Sequence, residues 1–357
     1  MMKLFTVGPV EMYPEILEIG SHQIPYFRNQ YFSDIMYELD SNLKKLMNMA
    51  EDDKNIILTA SGTGAMEAVV INCLTSEDKA LVISGGSFGE RFEQLCELYD
   101  IPYDTLRVKF GESFSADMLD KYESKGYTAL LVNLHETSVG QLYPVDILSD
   151  FCQRNQMYFI VDAISAVFAD EIDFTYHKID ALIFSSQKAL ALAPGIAIVS
   201  LSKKIIRRLN VKPKTMYFNF SDYLKNGMRG QTPFTPAVGI VIQTNAMIRA
   251  ILMEGIKNKI LKTRELAEYF RKQLHANGFE VPGYPLSNAM TPVWFGTGAK
   301  LYYESLIDDY EINVNPCGGE LADKMFRVGH MGNLTVEDHD DLICALCKIR
   351  ERNQKSI

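Results

Sequence analysis

An acidic and a basic residue each follow a short apolar stretch in the middle of this sequence. Asp162 comes directly after the β-rich stretch 158–161, and Lys188 comes shortly after a second one at 181–184. The pattern predicts two buried strands that end near these residues. Because ligands bind at the carboxyl ends of strands in open α/β sheets, Asp162 and Lys188 could contact one small molecule from two sides.

Pyridoxal phosphate chemistry requires both groups. A lysine amine holds the cofactor aldehyde as a Schiff base, and a carboxylate keeps the ring nitrogen protonated so that the ring accepts electrons. Neither residue is specific when taken alone. Lys188 could be an ordinary solvated surface lysine. The small and apolar residues after Lys188 favour a poorly solvated loop instead, in which the pKa of the amine falls and its nucleophilicity rises.

Composition and charge limit the class of protein. The 357 residues are 47% hydrophobic and 23% charged, enough for a large core and two domains, and the net charge of −9 argues against a general binder of nucleic acid or anionic membranes. The N-terminus lacks the apolar region of a signal peptide and no apolar stretch reaches transmembrane length, so a cytoplasmic protein is expected. The six cysteines fit reduced thiols rather than disulfides.

Two metal-site patterns are rejected on spacing, and no metal is expected. Cys344 and Cys347 are three positions apart in a helical pattern, and no second Cys or His pair has matching spacing for zinc. His135 and Glu136 would need a histidine at position 139 to form a zinc-protease motif, and Val139 stands there.

Predicted strands and helices alternate through the first two hundred residues, which indicates a largely parallel, doubly wound sheet. The strand at 195–199 follows 184 too closely for a crossover helix and is expected to run antiparallel to its predecessor. A loop at 229–236 precedes a mostly helical region at 237–275 and a final α+β layer. The other predicted elements are strands at 55–59, 80–83, 105–108 and 129–132 and helices at 33–49, 65–74, 90–99 and 116–124.

The turn Ser61-Gly62-Thr63-Gly64 lies between a predicted strand and a predicted helix. Free backbone N–H groups and the helix dipole at such a turn suit a phosphate, to which Ser61 and Thr63 add hydroxyl donors. An ordinary N-cap with closely packed glycines remains the alternative. The spacing matches neither a dinucleotide-binding G-x-G-x-x-G motif nor a Walker loop.

Three further positions, two that follow predicted strands and one inside a short strand, have both a functional and a structural interpretation. Phe88 could stack on a flat ring or anchor its loop to the core. Thr137 could donate a hydrogen bond to a ring substituent or simply close a turn. Arg327 lies among apolar residues, where a guanidinium usually has a carboxylate or phosphate partner, although an exposed strand edge is also possible.

In combination, these motifs resemble those of class V pyridoxal-phosphate aminotransferases, in particular the alanine/serine–glyoxylate and 2-aminoethylphosphonate–pyruvate transaminase group. The resemblance runs from Val7-Gly8-Pro9 to the segment 326–332, nearly the whole chain. It implies an α/β fold of the fold-type I PLP-dependent transferases, with a mostly parallel sheet in a large domain and a smaller α+β C-terminal domain. The implied bounds are 1–20 for an N-terminal arm and substrate loop, 21–245 for the PLP-binding large domain and 246–357 for the small domain.

The resemblance also implies a role for each matching residue. Lys188 would be the Schiff-base lysine and Asp162 the partner of the ring nitrogen. Arg327 would bind the substrate carboxylate, with Gly8 in the substrate loop. A homodimer with shared active sites is implied, in which either Thr232 or Thr235 reaches the neighbouring cofactor phosphate. The remaining implied cofactor contacts are Ser61, Gly62, Thr63, Phe88, Thr137 and Gln187.

The expected activity is transamination from a small amino acid or aminophosphonate to a 2-oxo acid such as glyoxylate or pyruvate. One alternative within pyridoxal chemistry is a cysteine desulfurase-like lyase with Cys317 as nucleophile, although Cys317 lies only ten positions before Arg327. A second alternative is a PLP-binding scaffold or regulatory subunit without activity. The identity of the amino donor stays open at this point.

Overall fold

The computed structural model describes residues 2–209 and 213–355 and has the expected α/β fold. The strands are β1 Lys3–Phe5, β2 Lys54–Thr59, β3 Ala80–Ser84, β4 Tyr103–Arg107, β5 Ala129–Asn133, β6 His135–Glu136, β7 Gln141–Leu142, β8 Tyr158–Asp162, β9 Ala181–Ser185, β10 Ile196–Leu201, β11 Met290–Trp294, β12 Ile312–Pro316 and β13 Met325–Gly329. The helices are α1 Pro14–Ser21, α2 Gln30–Leu46, α3 Gly62–Cys73, α4 Gly89–Leu98, α5 Val145–Arg154, α6 Lys203–Ile206, α7 Phe220–Gly227, α8 Val238–Glu254, α9 Ile256–Ala276, α10 Ala299–Tyr310 and α11 Val336–Lys355.

The larger sheet has the strand order β2-β10-β9-β8-β5-β3-β4. Strand β10 is antiparallel to both of its neighbours, which confirms the direction expected from its short connection to β9, and the other pairs are parallel. Strands β3, β5, β9 and β10 are buried along their whole length. Helices cover both faces of this sheet, so its strands are apolar at successive positions rather than at alternate ones.

The smaller sheet has the order β1-β12-β13-β11. Its first strand comes from the N-terminus, where Lys3–Phe5 pairs in parallel with β12, more than three hundred residues later. The N-terminal segment therefore joins the sheet formed by the C-terminal part of the chain. The boundary expected between 245 and 246 falls inside the continuous helix α8, and the three domain ranges remain predictions.

Two helical regions differ from the sequence-based expectation. The helix expected at 116–124 is a 3-10 helix at Ala116–Tyr122. The helical region expected at 237–275 is divided into α8 and α9 by Gly255, whose φ of +88° is one that glycine adopts readily and other residues rarely do. The spacing of apolar residues predicts that the region is helical, but it does not reveal a break between two helices that depends on the backbone angle of one residue.

Apolar cores lie on each side of the larger sheet and beneath the smaller one. One face packs α2 and α8 through residues such as Phe32 and Ile248, and the other packs α3 and α4 through residues such as Val69 and Phe92. Each fully buried side chain of this size contributes about 1.5–3 kcal/mol. Among residues 2–209 and 213–355, no helix is both long and apolar enough to cross a membrane.

Candidate active site

Asp162 is the last residue of β8 and is almost completely buried. Its Oδ2 accepts a hydrogen bond from Asn133 Nδ2 at 2.7 Å, and its Oδ1 accepts one from the Ile164 backbone N–H at 2.9 Å. Burial raises the pKa of this carboxyl group to about 6, although the two hydrogen bonds act in the opposite direction. Two donors therefore fix the carboxylate in a place where a cationic partner would stabilise it.

Lys188 lies in the connection between β9 and β10, as expected from the sequence. Burial lowers the pKa of its amine to about 8; Asp162 raises this pKa, whereas Arg327 and Arg91 lower it. About a tenth of the amine is therefore neutral and nucleophilic at pH 7, far more than for an ordinary lysine. The electrostatic coupling to Asp162 shows that the sheet brings the two sequence-predicted residues into one site.

Gly8 packs directly against the end of the Lys188 side chain. A Cβ atom built on Gly8 would lie 2.6 Å from Lys188 Cδ and 2.8 Å from Nζ, and the φ of Gly8 is +148°. The backbone N–H of Val10 donates to the Gln187 carbonyl at 3.3 Å, which holds this segment beside the lysine. Only glycine leaves the amine its present position, because any larger residue would occupy the same space.

Replacing Gly8 with alanine is therefore expected to displace the Lys188 amine and to lower kcat by about 10²-fold, since misplacement of a reacting group by about 1 Å costs that much. Steady-state rates of the cofactor-loaded variant would measure the effect. Gly283→Ala is a matched control, because a Cβ there has no atom within 4 Å. A Gly8→Ala enzyme with the parental kcat would show that this contact does not position the lysine.

The turn at the start of α3 combines a free helix N-terminus with two exposed hydroxyl residues, Ser61 and Thr63. Ser61 is the N-cap, and its side chain accepts a hydrogen bond from Gly64 N at 3.3 Å. Gly62 packs against the Ile164 side chain so closely that a Cβ would overlap it. The turn is thus both a cap and a donor-rich site, and its Ile164 contact places it beside Asp162.

Arg91, in the first turns of α4, connects the Thr63 turn to Phe88. Its NH1 donates to Thr63 Oγ1 at 2.8 Å, and its guanidinium carbon lies 4.4 Å from the centre of the Phe88 ring. Arg91 is not among the residues predicted from the sequence. A charged residue in a helix pattern looks solvent-exposed in sequence, and only the packing of α4 directs it toward the site.

The loop that carries Phe88 is held by the buried carboxylate of Glu136. Glu136 accepts hydrogen bonds from Gly89 N at 2.9 Å, Phe88 N at 3.4 Å and Ser138 Oγ at 2.5 Å. Burial raises the pKa of its carboxyl group, and these hydrogen bonds oppose that shift. The Phe88 ring is half-buried on a fixed loop beside the site. This position is compatible with both sequence-based interpretations, stacking on a flat ring and anchoring the loop.

Thr137 and Arg327 connect the larger sheet to the smaller one. Thr137 Oγ1 shares a hydrogen bond of 2.8 Å with Ser165 Oγ, and the Thr137 carbonyl accepts one of 2.9 Å from Arg327 NH1. Arg327 NH2 donates to the Pro316 carbonyl at 2.6 Å. NH1 and NH2 each use one of their two N–H groups in these bonds, which leaves one N–H of each for a ligand, while the buried Nε has no hydrogen-bond partner among the described residues.

Cys317 is buried next to these groups, with its Sγ 3.8 Å from the Ser138 carbonyl. Burial raises the pKa of its thiol, and the nearby Arg327 only partly offsets that shift. A thiol in this state is a poor nucleophile at neutral pH, because the thiolate is the reactive form.

Thr232 contacts its own loop rather than the residues around Lys188. Its hydroxyl donates to the Phe234 carbonyl at 2.7 Å, and its carbonyl accepts from Arg28 NH1 at 2.7 Å. Thr235, three residues later, is exposed, whereas Thr232 is buried. Gln187 is half-buried next to Lys188, and its carbonyl binds Val10.

The comparisons with known proteins agree on one family. A family model described as "Aminotransferase class-V" matches residues 21–333. An uncharacterized aminotransferase of Methanocaldococcus jannaschii is 30% identical over 92% of this chain and 87% of its own length. The soluble hydrogenase small subunit of a Synechococcus strain is 28% identical, covering 95% of this chain and 90% of its own. The alanine–glyoxylate aminotransferase from Nostoc sp. has a solved structure that superposes with a TM-score of 0.92, at 25% identity and with 98% of this chain and 95% of that one covered.

Proposed function

This chain belongs to the class V aminotransferase family, and from that premise we propose that it moves an amino group from a small amino acid or aminophosphonate to glyoxylate or pyruvate. The enzyme class is pyridoxal-phosphate-dependent transamination. The observation that carries the proposal is the Lys188 amine, which lies in the loop after β9, is coupled electrostatically to Asp162 and has its pKa lowered to about 8 by burial. The likeness to a structure named alanine–glyoxylate aminotransferase supports the substrate class.

The residues around Lys188 fit pyridoxal phosphate. The donor-rich start of α3, with Ser61, Gly62 and Thr63, suits the phosphate, and the buried Asp162 carboxylate suits a protonated ring nitrogen. Lys188 Nζ would form the covalent link. When bound, the cofactor supplies an aldehyde and an electron-accepting ring.

The chain's own groups have distinct tasks in this proposal. The Lys188 amine would accept the proton from the substrate carbon and return it during the reaction, a task for which a pKa of about 8 is well matched. Asp162, held by Asn133 and Ile164, would stabilise a positive charge on the ring nitrogen. Phe88 would stack on the ring, and Thr137 would contact its hydroxyl oxygen. Gln187 would complete the cofactor contacts next to the lysine.

The substrate acid would bind at Arg327. Two backbone carbonyls, of Thr137 and Pro316, fix its guanidinium before any ligand arrives, and the second N–H of NH1 and of NH2 would bind the carboxylate oxygens. A donor that is held in advance costs less to order when substrate binds. Gly8 lies beside the same pocket through its contact with Lys188.

A homodimer is part of this proposal, with a threonine of the 231–236 loop directed at the neighbour's cofactor phosphate. Thr235→Val is expected to weaken pyridoxal phosphate binding about tenfold, the cost of one hydrogen bond to a charged group. Thr232→Val is the matched control, because the Thr232 hydroxyl already donates to Phe234 within its own loop. Cofactor dissociation constants from absorbance titration show which threonine contacts the phosphate. Loss of affinity in the Thr232 variant alone would assign this contact to Thr232 instead of Thr235.

The direct test of the proposed activity is a panel of amino donors with glyoxylate or pyruvate, scored by formation of glycine or alanine. Alanine, serine, aspartate and 2-aminoethylphosphonate are the donors to compare. Release of sulfide from cysteine would instead support the lyase alternative, against which the buried thiol of Cys317 argues. A protein that binds no pyridoxal phosphate would support a subunit role of the kind that the name of the hydrogenase relative suggests.

A further inference from the structure

A cavity of about 360 Å³ lies outside the site described above, between the start of α1, the end of α8, the first turns of α9 and the loop after β13. It is large enough for a small organic or inorganic anion. The residues of its wall that matter here are Tyr13, Glu254, Lys259, Lys262, His330 and Asn333.

The ammonium group of Lys259 lies in the wall of this cavity without a carboxylate partner among the described residues. The residue is only 6% exposed, and among the described residues no carboxylate lies within the 4 Å of an ion pair. Its ammonium donates to the Tyr13 hydroxyl at 3.0 Å, and that hydroxyl donates in turn to the Gly332 carbonyl at 3.0 Å. Tyr13 is therefore a neutral acceptor for one of the three ammonium protons.

None of the other ionisable residues described in the cavity wall forms an ion pair with Lys259. Lys262 and Glu254 form an ion pair with each other, and Glu15 lies exposed on the first turn of α1. The two ring nitrogens of His330 are engaged by Thr291 and His339, and burial lowers the pKa of His330, so this ring is neutral. A buried ammonium without a carboxylate partner is costly, so an anion bound in this cavity would stabilise it.

We propose that this cavity is a binding site for a small oxyanion, with Lys259 as its anchor. Two ammonium protons of Lys259 and the side-chain amide of Asn333, which lines the cavity, would donate to phosphate or carboxylate oxygens. The site is separate from the turn at Ser61, which belongs to the cofactor in the proposed function.

A bound oxyanion would also hold the N-terminal segment that covers Lys188. Tyr13 binds Gly332, Asn333 N donates to the Glu11 carbonyl at 3.0 Å, and Val10 N donates to Gln187. The same segment contains Gly8, which packs on the catalytic lysine. An anion on Lys259 therefore adds a ligand-dependent contact at one end of the segment whose other end lies in the active site.

The test compares the thermal midpoints of the cofactor-loaded wild-type protein and its Lys259→Met variant in inorganic phosphate, in succinate and in chloride at equal ionic strength. Full cofactor loading is established first by absorbance, so that a failure of the proposed function is seen separately. At about a hundredfold excess over Kd, phosphate or succinate should raise the wild-type midpoint by about 3 °C. Lys259→Met should lose this shift and be at least as stable as wild type in chloride, because an unpaired buried charge is gone.

Lys257→Met, a change at an exposed lysine two residues earlier on α9, should retain the full shift, as should Lys259→Arg. Hydrogen exchange on the wild-type protein is a second measurement that needs no variant: phosphate or succinate should protect the amides of 10–13. An equal shift in wild type and Lys259→Met would overturn the proposal. So would the absence of any anion-dependent shift or protection in the wild-type protein.

Discussion

Replacing Lys188 with alanine is expected to reduce transamination by about 10⁴-fold while cofactor binding persists. The variant loses both the covalent attachment point and the amine that carries the proton, and general acid–base catalysis alone contributes about 10²–10⁴-fold. The phosphate turn at Ser61 and the Asp162 carboxylate remain, so pyridoxal phosphate should still bind without a covalent link. Single-turnover rates with each amino donor and absorbance titration of the cofactor measure the two effects separately.

Two controls separate chemistry from folding in this experiment. Lys188→Arg keeps the positive charge but cannot supply a neutral amine near pH 8, so it should be as inactive as the alanine variant. Small primary amines added to Lys188→Ala should restore part of the rate, because the vacated space admits a base. Turnover by Lys188→Ala within tenfold of wild type, without added amine, would refute the assignment.

The second large effect is expected for Asp162→Asn, which should lower the activity but raise the stability of the cofactor-free protein. An amide cannot hold the ring nitrogen in its protonated form, so the rate should fall by about 10³-fold, comparable with the loss of one preorganised electrostatic contact. In the cofactor-free protein, the same substitution removes a buried carboxylate whose pKa is raised to about 6 from an ordinary value of 3.8. The variant should therefore be more stable than wild type at pH 8.

The pH dependence of this stability difference follows from proton binding. Between the two pKa values the folded protein holds a proton that the unfolded chain has released, so the stability contributed by Asp162 is complete at low pH and is lost as pH rises through about 6. A shift of this size corresponds to about 3 kcal/mol. Chemical denaturation of the two cofactor-free proteins from pH 4 to pH 8 should show a difference that grows with pH. A constant difference, or wild-type activity in the variant, would contradict the proposed role.

The positions of Asp162 and Lys188 could be predicted from sequence because each follows an apolar stretch that forms a buried strand, and strand ends share one edge of a parallel sheet. The antiparallel β10 followed from a short connection. In both cases the local pattern determines the local structure, and the sheet then brings the residues together.

Other parts of the site depend on contacts that local patterns do not contain. Arg91 reaches Thr63 across two helices, Glu136 fixes a loop that is 47 residues away at Gly89, and β1 pairs with β12. In the sequence Lys259 is one of several lysines in a charged helical segment, and its burial results from the packing of α9 on α8 and from its contact with Tyr13. Such arrangements depend on tertiary packing, which single-sequence periodicity does not describe.

The cofactor is expected to be attached to this chain through Lys188. Borohydride reduction of the cofactor-loaded protein, followed by proteolysis and mass spectrometry, identifies the lysine to which the cofactor is attached. The structure predicts a single modified peptide that contains Lys188, and no modified peptide in the Lys188→Ala variant. Attachment at another lysine, or a reduced wild-type protein without any modified peptide, would contradict it.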